Sequence, residues 1–188
     1  MEFRDTDLRT SLGKPSEEEQ LLGRSPAFDD RTQVYLTLPG GTREAFAFKA
    51  KQVEVVDDVA LGIFTKYFYE PTFTAEAGST HKLTIESKSF FTVGANGKYY
   101  GFQGQPFNPA DGLFGGVYVL TSKDGTQYRI DAATGDLLTV KDTNGNTLTY
   151  TDDAITSSTG QQVTFERDAQ NRIVAVKDPT QEYVRYTL

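Results

Sequence analysis

The residues of this chain best placed to do chemistry are its acids. Glu70, Glu76 and Glu86, or the pair Asp57-Asp58, are carboxylates of the kind that flank a glycosidic bond, one protonated and one ionised. In an acidic, strand-rich chain such residues also serve as solvated strand ends and turns, and that reading is preferred. Asp142-Thr-Asn144-Gly-Asn146 sets side-chain oxygens at alternate positions, as a calcium loop does. It lacks the further acidic positions and the distal bidentate Glu of such a loop, so Asp142 is read as a turn-capping residue. The one histidine, His81, stands between Thr80 and Lys82 at the start of an expected strand and is read as an ordinary polar side chain. No Gly-x-Ser-x-Gly elbow, phosphate loop or metalloprotease helix occurs. The expectation is no catalysis, no cofactor and no metal site.

Aromatic side chains offer a second chemistry, because sugar rings stack on exposed Tyr and Phe. The places to look are Tyr67-Phe68-Tyr69, and Tyr99-Tyr100 beside Phe102. Adjacent residues on a strand point to opposite faces, so half of each cluster is expected in the core whatever the other half does. Core or interface is the preferred reading, with glycan or protein recognition as the alternative.

Charge and composition narrow the partners and the fold. The 188 residues carry 26 acidic and 19 basic side chains, a formal net charge of -7. That balance argues against nucleic acid or an anionic membrane as the main partner, since counterion release needs clustered Lys and Arg. With no cysteine and one histidine, thiolate and His-cluster metal sites are unavailable. No apolar run is long enough to span a membrane, and Met1-Glu2-Phe3-Arg4-Asp5 lacks the pattern of a signal peptide. Thirteen Phe and ten Tyr, no Trp and seventeen Gly favour strands and turns, so an all-β protein is expected.

Three regions follow along the chain. Residues 1–30 are polar, with Pro15 and Pro26, and their helical hint is Ser16 to Leu22, where Ser16 can cap against Glu19. This is read as a leader, disordered or docked as an arm. Residues 31–115 read as an antiparallel β module. Val34, Leu36 and Leu38 alternate with polar residues, Pro39-Gly40-Gly41 turns the chain, and Phe46 and Phe48 alternate on the way back. Further strands are predicted at 52–56, 63–69, 82–87 and 89–93, the last turning at Gly94-Ala-Asn96-Gly97 into 98–102. Residues 103–116, rich in Gly, Pro, Asn and Asp, mark a boundary.

Residues 116–188 repeat themselves. Val140-Lys141-Asp142 returns as Val176-Lys177-Asp178, Leu148 as Val184, Tyr150 as Tyr186 and Thr151 as Thr187. Gly125, Gly145, Gly160 and the equivalent Gln181 serve as anchors, and the residues three and five beyond each are Tyr128/Ile130, Leu148/Tyr150, Val163/Phe165 and Val184/Tyr186. All are apolar, and each pair lies on one face of a strand. Returning strands are expected through Leu138 and Val140 and through Val174 and Val176, linked by Ala132-Ala-Thr-Gly135 and Asp168-Ala-Gln-Asn171. One such hairpin cannot bury its apolar face, so copies are expected to stack edge to edge into a continuous sheet.

These units resemble the YD-repeat, or Rhs, family. The resemblance is carried by Gly145-Asn-Thr-Leu-Thr-Tyr-Thr-Asp152 and Gly160-Gln-Gln-Val-Thr-Phe-Glu-Arg-Asp168, then Asn171-Arg172-Ile173 and Lys177-Asp178-Pro179. Phe165 stands where Tyr is usual, Gln181 replaces the starting Gly, and the unit around Ala154-Ile155 reads as too short for a full returning strand. The family includes bacterial Rhs polymorphic toxins, cocoon components of insecticidal Tc toxins, and teneurins. What the resemblance implies is a strip of antiparallel sheet belonging to a hollow shell or surface protein, extracellular or at the cell surface. The last strand ends at Leu188 without a returning partner, so 1–188 is expected to be a slice of a longer YD-repeat chain, or to have its C-terminal edge covered by a second chain.

Overall fold

The computed structural model describes residues 8–10, 26–38, 41–58, 63–87, 89–180 and 182–186. Among them the structure is strand and turn, with antiparallel open sheets and no α-helix, as composition predicts. A four-stranded sheet takes the order β1-β2-β3-β4, from Leu8–Thr10, Gln33–Thr37, Arg43–Asp58 and Ile63–Ala75. A nine-stranded sheet begins with β5 (Lys82–Ile85), which pairs with β8 (Val117–Thr121). It then runs as a meander through β9 (Gln127–Asp131), β10 (Leu137–Lys141), β11 (Thr147–Tyr150), β12 (Ala154–Ser157), β13 (Gln162–Arg167), β14 (Ile173–Lys177) and β15 (Tyr183–Arg185). A two-stranded ribbon joins β6 (Thr92–Val93) to β7 (Tyr99–Tyr100).

The hairpin predicted from Val34 to Phe48 forms, with Val34 opposite Phe46 and the Leu38 N–H closing the turn onto Thr42 O at 2.8 Å. The strands read as 82–87, 89–93 and 98–102 are shorter, at 82–85, 92–93 and 99–100, and two others are longer. The returning strand through Phe46 and Phe48 and the segment read as 52–56 are one 16-residue strand, continuous because bulges after Gln52 and Val56 absorb the change of period. Likewise β4 continues past Tyr69 to Ala75 through Pro71, which is opposite Ala50. Proline is tolerated there because β4 is the outer strand of its sheet. The helical signal at Ser16–Leu22 lies outside the described residues, whereas Leu8–Thr10 adds to β2 as an edge strand.

The core lies between the two sheets. Val34, Leu36, Phe46 and Phe48 from one, and Leu83, Tyr118, Leu120 and Ile130 from the other, are all buried, and Phe73 meets Tyr118 edge to face at 5.7 Å. Phe48 sits among Phe28, Phe73, Phe91, Tyr99 and Phe107, with ring centroids 5.2 to 6.1 Å away. Backbone bonds of 2.8 to 2.9 Å tie Phe28 to Phe107 and Tyr99, and Tyr99 to Phe107, locking three distant segments around that cluster. The Gly- and Pro-rich stretch 103–116 therefore contributes Phe107 and Phe114 to the core, the latter on a short 3-10 helix at Gly112–Phe114 that Asp111 caps.

A candidate interaction face on the long sheet

Cross-strand register shows which side chains share a face. Tyr128 opposes Val140, which opposes Leu148; Tyr150 opposes Ile155, which opposes Val163; Phe165 opposes Val176, which opposes Val184. Inward, the same row runs through Leu120 to Leu83, and Ile130 pairs with Tyr118 and on to Ile85. The apolar positions picked out by the anchors thus form one surface that crosses all nine strands. Thr139, Thr149 and Thr156 oppose one another on the other face.

Two details of register depart from the sequence pattern. A bulge lets Leu137, rather than Leu138, oppose Ile130, where the turn from Asp131 to Asp136 is one residue longer than the five-residue turns of this sheet. A second bulge leaves Val174 as the extra residue between Ile173 and Ala175. The unit around Ala154-Ile155, read as too short for a full returning strand, does form one: β12 pairs on both sides, with β11 and with β13. Its spacing is short because the chain reverses at Asp152-Asp153, where the Thr151 N–H donates to Ala154 O at 2.9 Å.

One turn design recurs between strands. At Ser122–Thr126, Asp142–Asn146, Ser157–Gln161 and Asp168–Arg172, the first N–H donates to the fifth carbonyl, and the fourth N–H donates to the first carbonyl. The fourth residue has positive φ: 88° at Gly125, 89° at Gly145, 86° at Gly160 and 62° at Asn171. This is a three-residue hairpin loop with a bulge, which needs glycine or asparagine at that place. The anchors recur because this turn recurs; Gln181 lies outside the described residues. Asp142 caps as expected: its Oδ1 accepts from the N–H groups of Asn144 at 2.9 Å and Asn146 at 2.8 Å. Asp168 does the same for Gln170 and Arg172, and Asp178 for Thr180 and Glu182. The Asn146 side chain, with these backbone donors, holds the Asp142 carboxyl below the usual range, and the Arg172 guanidinium does so for Asp168.

The remaining sequence candidates do not converge. Glu86 is held by both Nε and Nη2 of Arg129, at 2.8 and 2.6 Å; Glu70 stands opposite Lys51, and Glu76 Oε1 accepts from Ala45 N–H at 3.3 Å. Asp57 and Asp58 end β3, on a different element from each of these. His81 is less ordinary than its neighbours suggest. Its Nδ1 lies 3.0 Å from both oxygens of half-buried Glu44, and the Ser79 hydroxyl donates to Glu44 Oε2 at 2.7 Å. The carboxylate takes both partners, and no hydrogen bond joins hydroxyl to imidazole, so nothing activates Ser79 as a nucleophile. The cluster clasps β3 to the approach to β5. Among the described residues no group of three or more His, Cys, Asp or Glu could hold a metal ion, and no helix is long and apolar enough to cross a membrane.

The aromatic runs divide between core and surface. Tyr99 is buried, its hydroxyl donating to Asp30 at 2.8 Å, and Tyr69 stacks on Phe91. Tyr67 is exposed, and Phe102, 65% exposed on the turn after β7, packs on Phe68 at 5.2 Å. Among the described residues, the outer part of the long sheet also leaves apolar surface uncovered. From Leu148 to Val176 the shared face is half-buried, and Val184 and Tyr186 are exposed. β15 has a neighbour on one side only among the described residues. No protein-family model, no curated protein and no solved structure matches this chain.

Proposed function

We propose that this chain is a structural segment of a YD/Rhs-type shell or surface protein, a strip of sheet without catalysis of its own. The observation that carries this reading is the meander from β8 to β15, in which one turn design and one apolar face recur strand after strand. Such an array adds stability by nearest-neighbour contact and grows by adding hairpins, which suits a wall more than a pocket. The backbone of β15 supports continuation. Glu182 O accepts from the Asp178 N–H just after β14, and the Tyr186 N–H donates to Val174 O, so alternation turns the N–H and C=O of Tyr183 and Arg185 outward, where another strand can add.

The test is the intact mass, from its source, of the polypeptide that contains Val140-Lys-Asp-Thr-Asn-Gly-Asn146. A shell segment requires a mass several-fold above 20.8 kDa. A native mass close to 20.8 kDa overturns the shell and leaves the second reading, a small binding module. That alternative rests on Phe102 standing out on its turn against Phe68, where a sugar ring or a partner's apolar side chain can stack. It requires Phe102→Ala to abolish retention on a glycan or protein ligand while the fold is kept.

A further inference from the structure

The bare face of the long sheet contains a groove of about 480 Å³, within the size range of ligand sites. Its floor is Tyr150, Ile155 and Phe165, brought together by the pairing of β11 with β12 and of β12 with β13. Leu137, which packs against the main core, closes one end, and exposed Ile173 lines it too.

The charge on this groove is net acidic. Asp136 and Asp152 line it, both exposed, and neither carboxylate has an ion pair among the described residues. The one cation in the lining, Arg167, is committed to the chain itself. It donates to Asp152 O at 3.1 and 2.7 Å and to Asn171 O at 2.9 Å, fixing two turns. Two carboxylates against one guanidinium leave the rim net acidic, and an apolar floor beside a net acidic rim favours a ligand that is apolar and cationic together.

We infer that this groove takes an extended segment of a partner polypeptide in which apolar side chains alternate with Lys or Arg. The inference rests on the structural role proposed above, in which this face stays open to a partner. A second copy of this chain fits poorly, because it brings a further net charge of -7 to an acidic rim. Nucleic acid is repelled for the same reason. An extended segment matches the site because alternate apolar side chains face the floor while the long stems of the Lys or Arg between them bend back to the carboxylates at the rim.

The probe is a fluorescein-labelled octapeptide alternating Lys with Leu and Phe, with a control carrying Glu for each Lys, titrated by anisotropy. The basic peptide is expected to bind and the acidic one not, with binding weakened between about 0.05 M and about 0.3 M salt. Asp136→Asn/Asp152→Asn is expected to weaken it about tenfold. Ile173→Ser, at an exposed position, is expected to weaken it roughly threefold or more. Glu70→Gln/Glu76→Gln, removing the same charge from the other sheet, should change it less than about twofold. Absent binding, equal binding of both peptides, or equal weakening by the two double variants overturns the inference. These outcomes do not bear on the native mass, so the groove and the structural role fail separately.

Discussion

The inner and outer ends of the long sheet obey one pattern and have different surroundings. At β8 and β9 the apolar face meets the four-stranded sheet, and Tyr118, Leu120 and Ile130 are buried. At β13 to β15 the same row of positions has no second layer above it among the described residues, and its side chains are half-buried or exposed. Alternation therefore decides which face is apolar, and something else decides whether that face is covered. Here the covering comes from the aromatic cluster around Phe48, built by residues 28–114. The outer hairpins are held by backbone ladders, Asp-capped turns and their immediate neighbours.

The largest expected effect falls on the covered end. Phe48→Ala removes a side chain that five other rings touch, and it should cost about 3–5 kcal/mol by chemical denaturation. Val184→Ala, on the exposed outer strand, should stay within roughly 0.5 kcal/mol. Comparable costs at the two sites would mean that the outer face is covered in solution. Gly145→Ala probes the turns: a Cβ at Gly145 would meet nothing within 4 Å, so the expected loss of about 1–2 kcal/mol comes from the left-handed φ of 89° alone.

A smaller effect of opposite sign is expected at Tyr118. Its hydroxyl is buried with no hydrogen-bond partner among the described residues, and burial pushes the phenol far up. Tyr118→Phe keeps the ring against Phe73 and should raise stability by about 1 kcal/mol; a loss instead would show that the hydroxyl is satisfied. The gentlest test is pH. Asp142 and Asp168 are held low in the folded chain, so their contribution is present above the unfolded value, about 3.9, and is lost as pH falls through the folded values. Asp142→Asn/Asp168→Asn should flatten the acid limb of the melting temperature below about pH 4 and leave its shape near neutrality unchanged.

Most of what repeats was legible in the sequence. Gly125, Gly145 and Gly160 mark turns that need positive φ, and the apolar pairs after them set the face, because both rules are local. What escaped depends on residues far apart. Nothing near His81 points to Glu44, 37 residues away, and nothing in Lys82–Ile85 says that it joins the sheet of β8. The boundary of β3 was missed because bulges preserve a strand while breaking its period. The groove was missed because a bulge at Leu138 turned Leu137 inward, and because what covers a strand face is a property of tertiary packing.

Native-state hydrogen exchange tests the stacked-hairpin arrangement most directly. A nearest-neighbour array anchored at one end by a covered core predicts the slowest exchange in β8 and β9, a stepwise fall through β11 and β13, and little protection in β15. Protection in β13 to β15 as strong as in β8 would contradict it, and would mean that the bare face or the open edge is already covered.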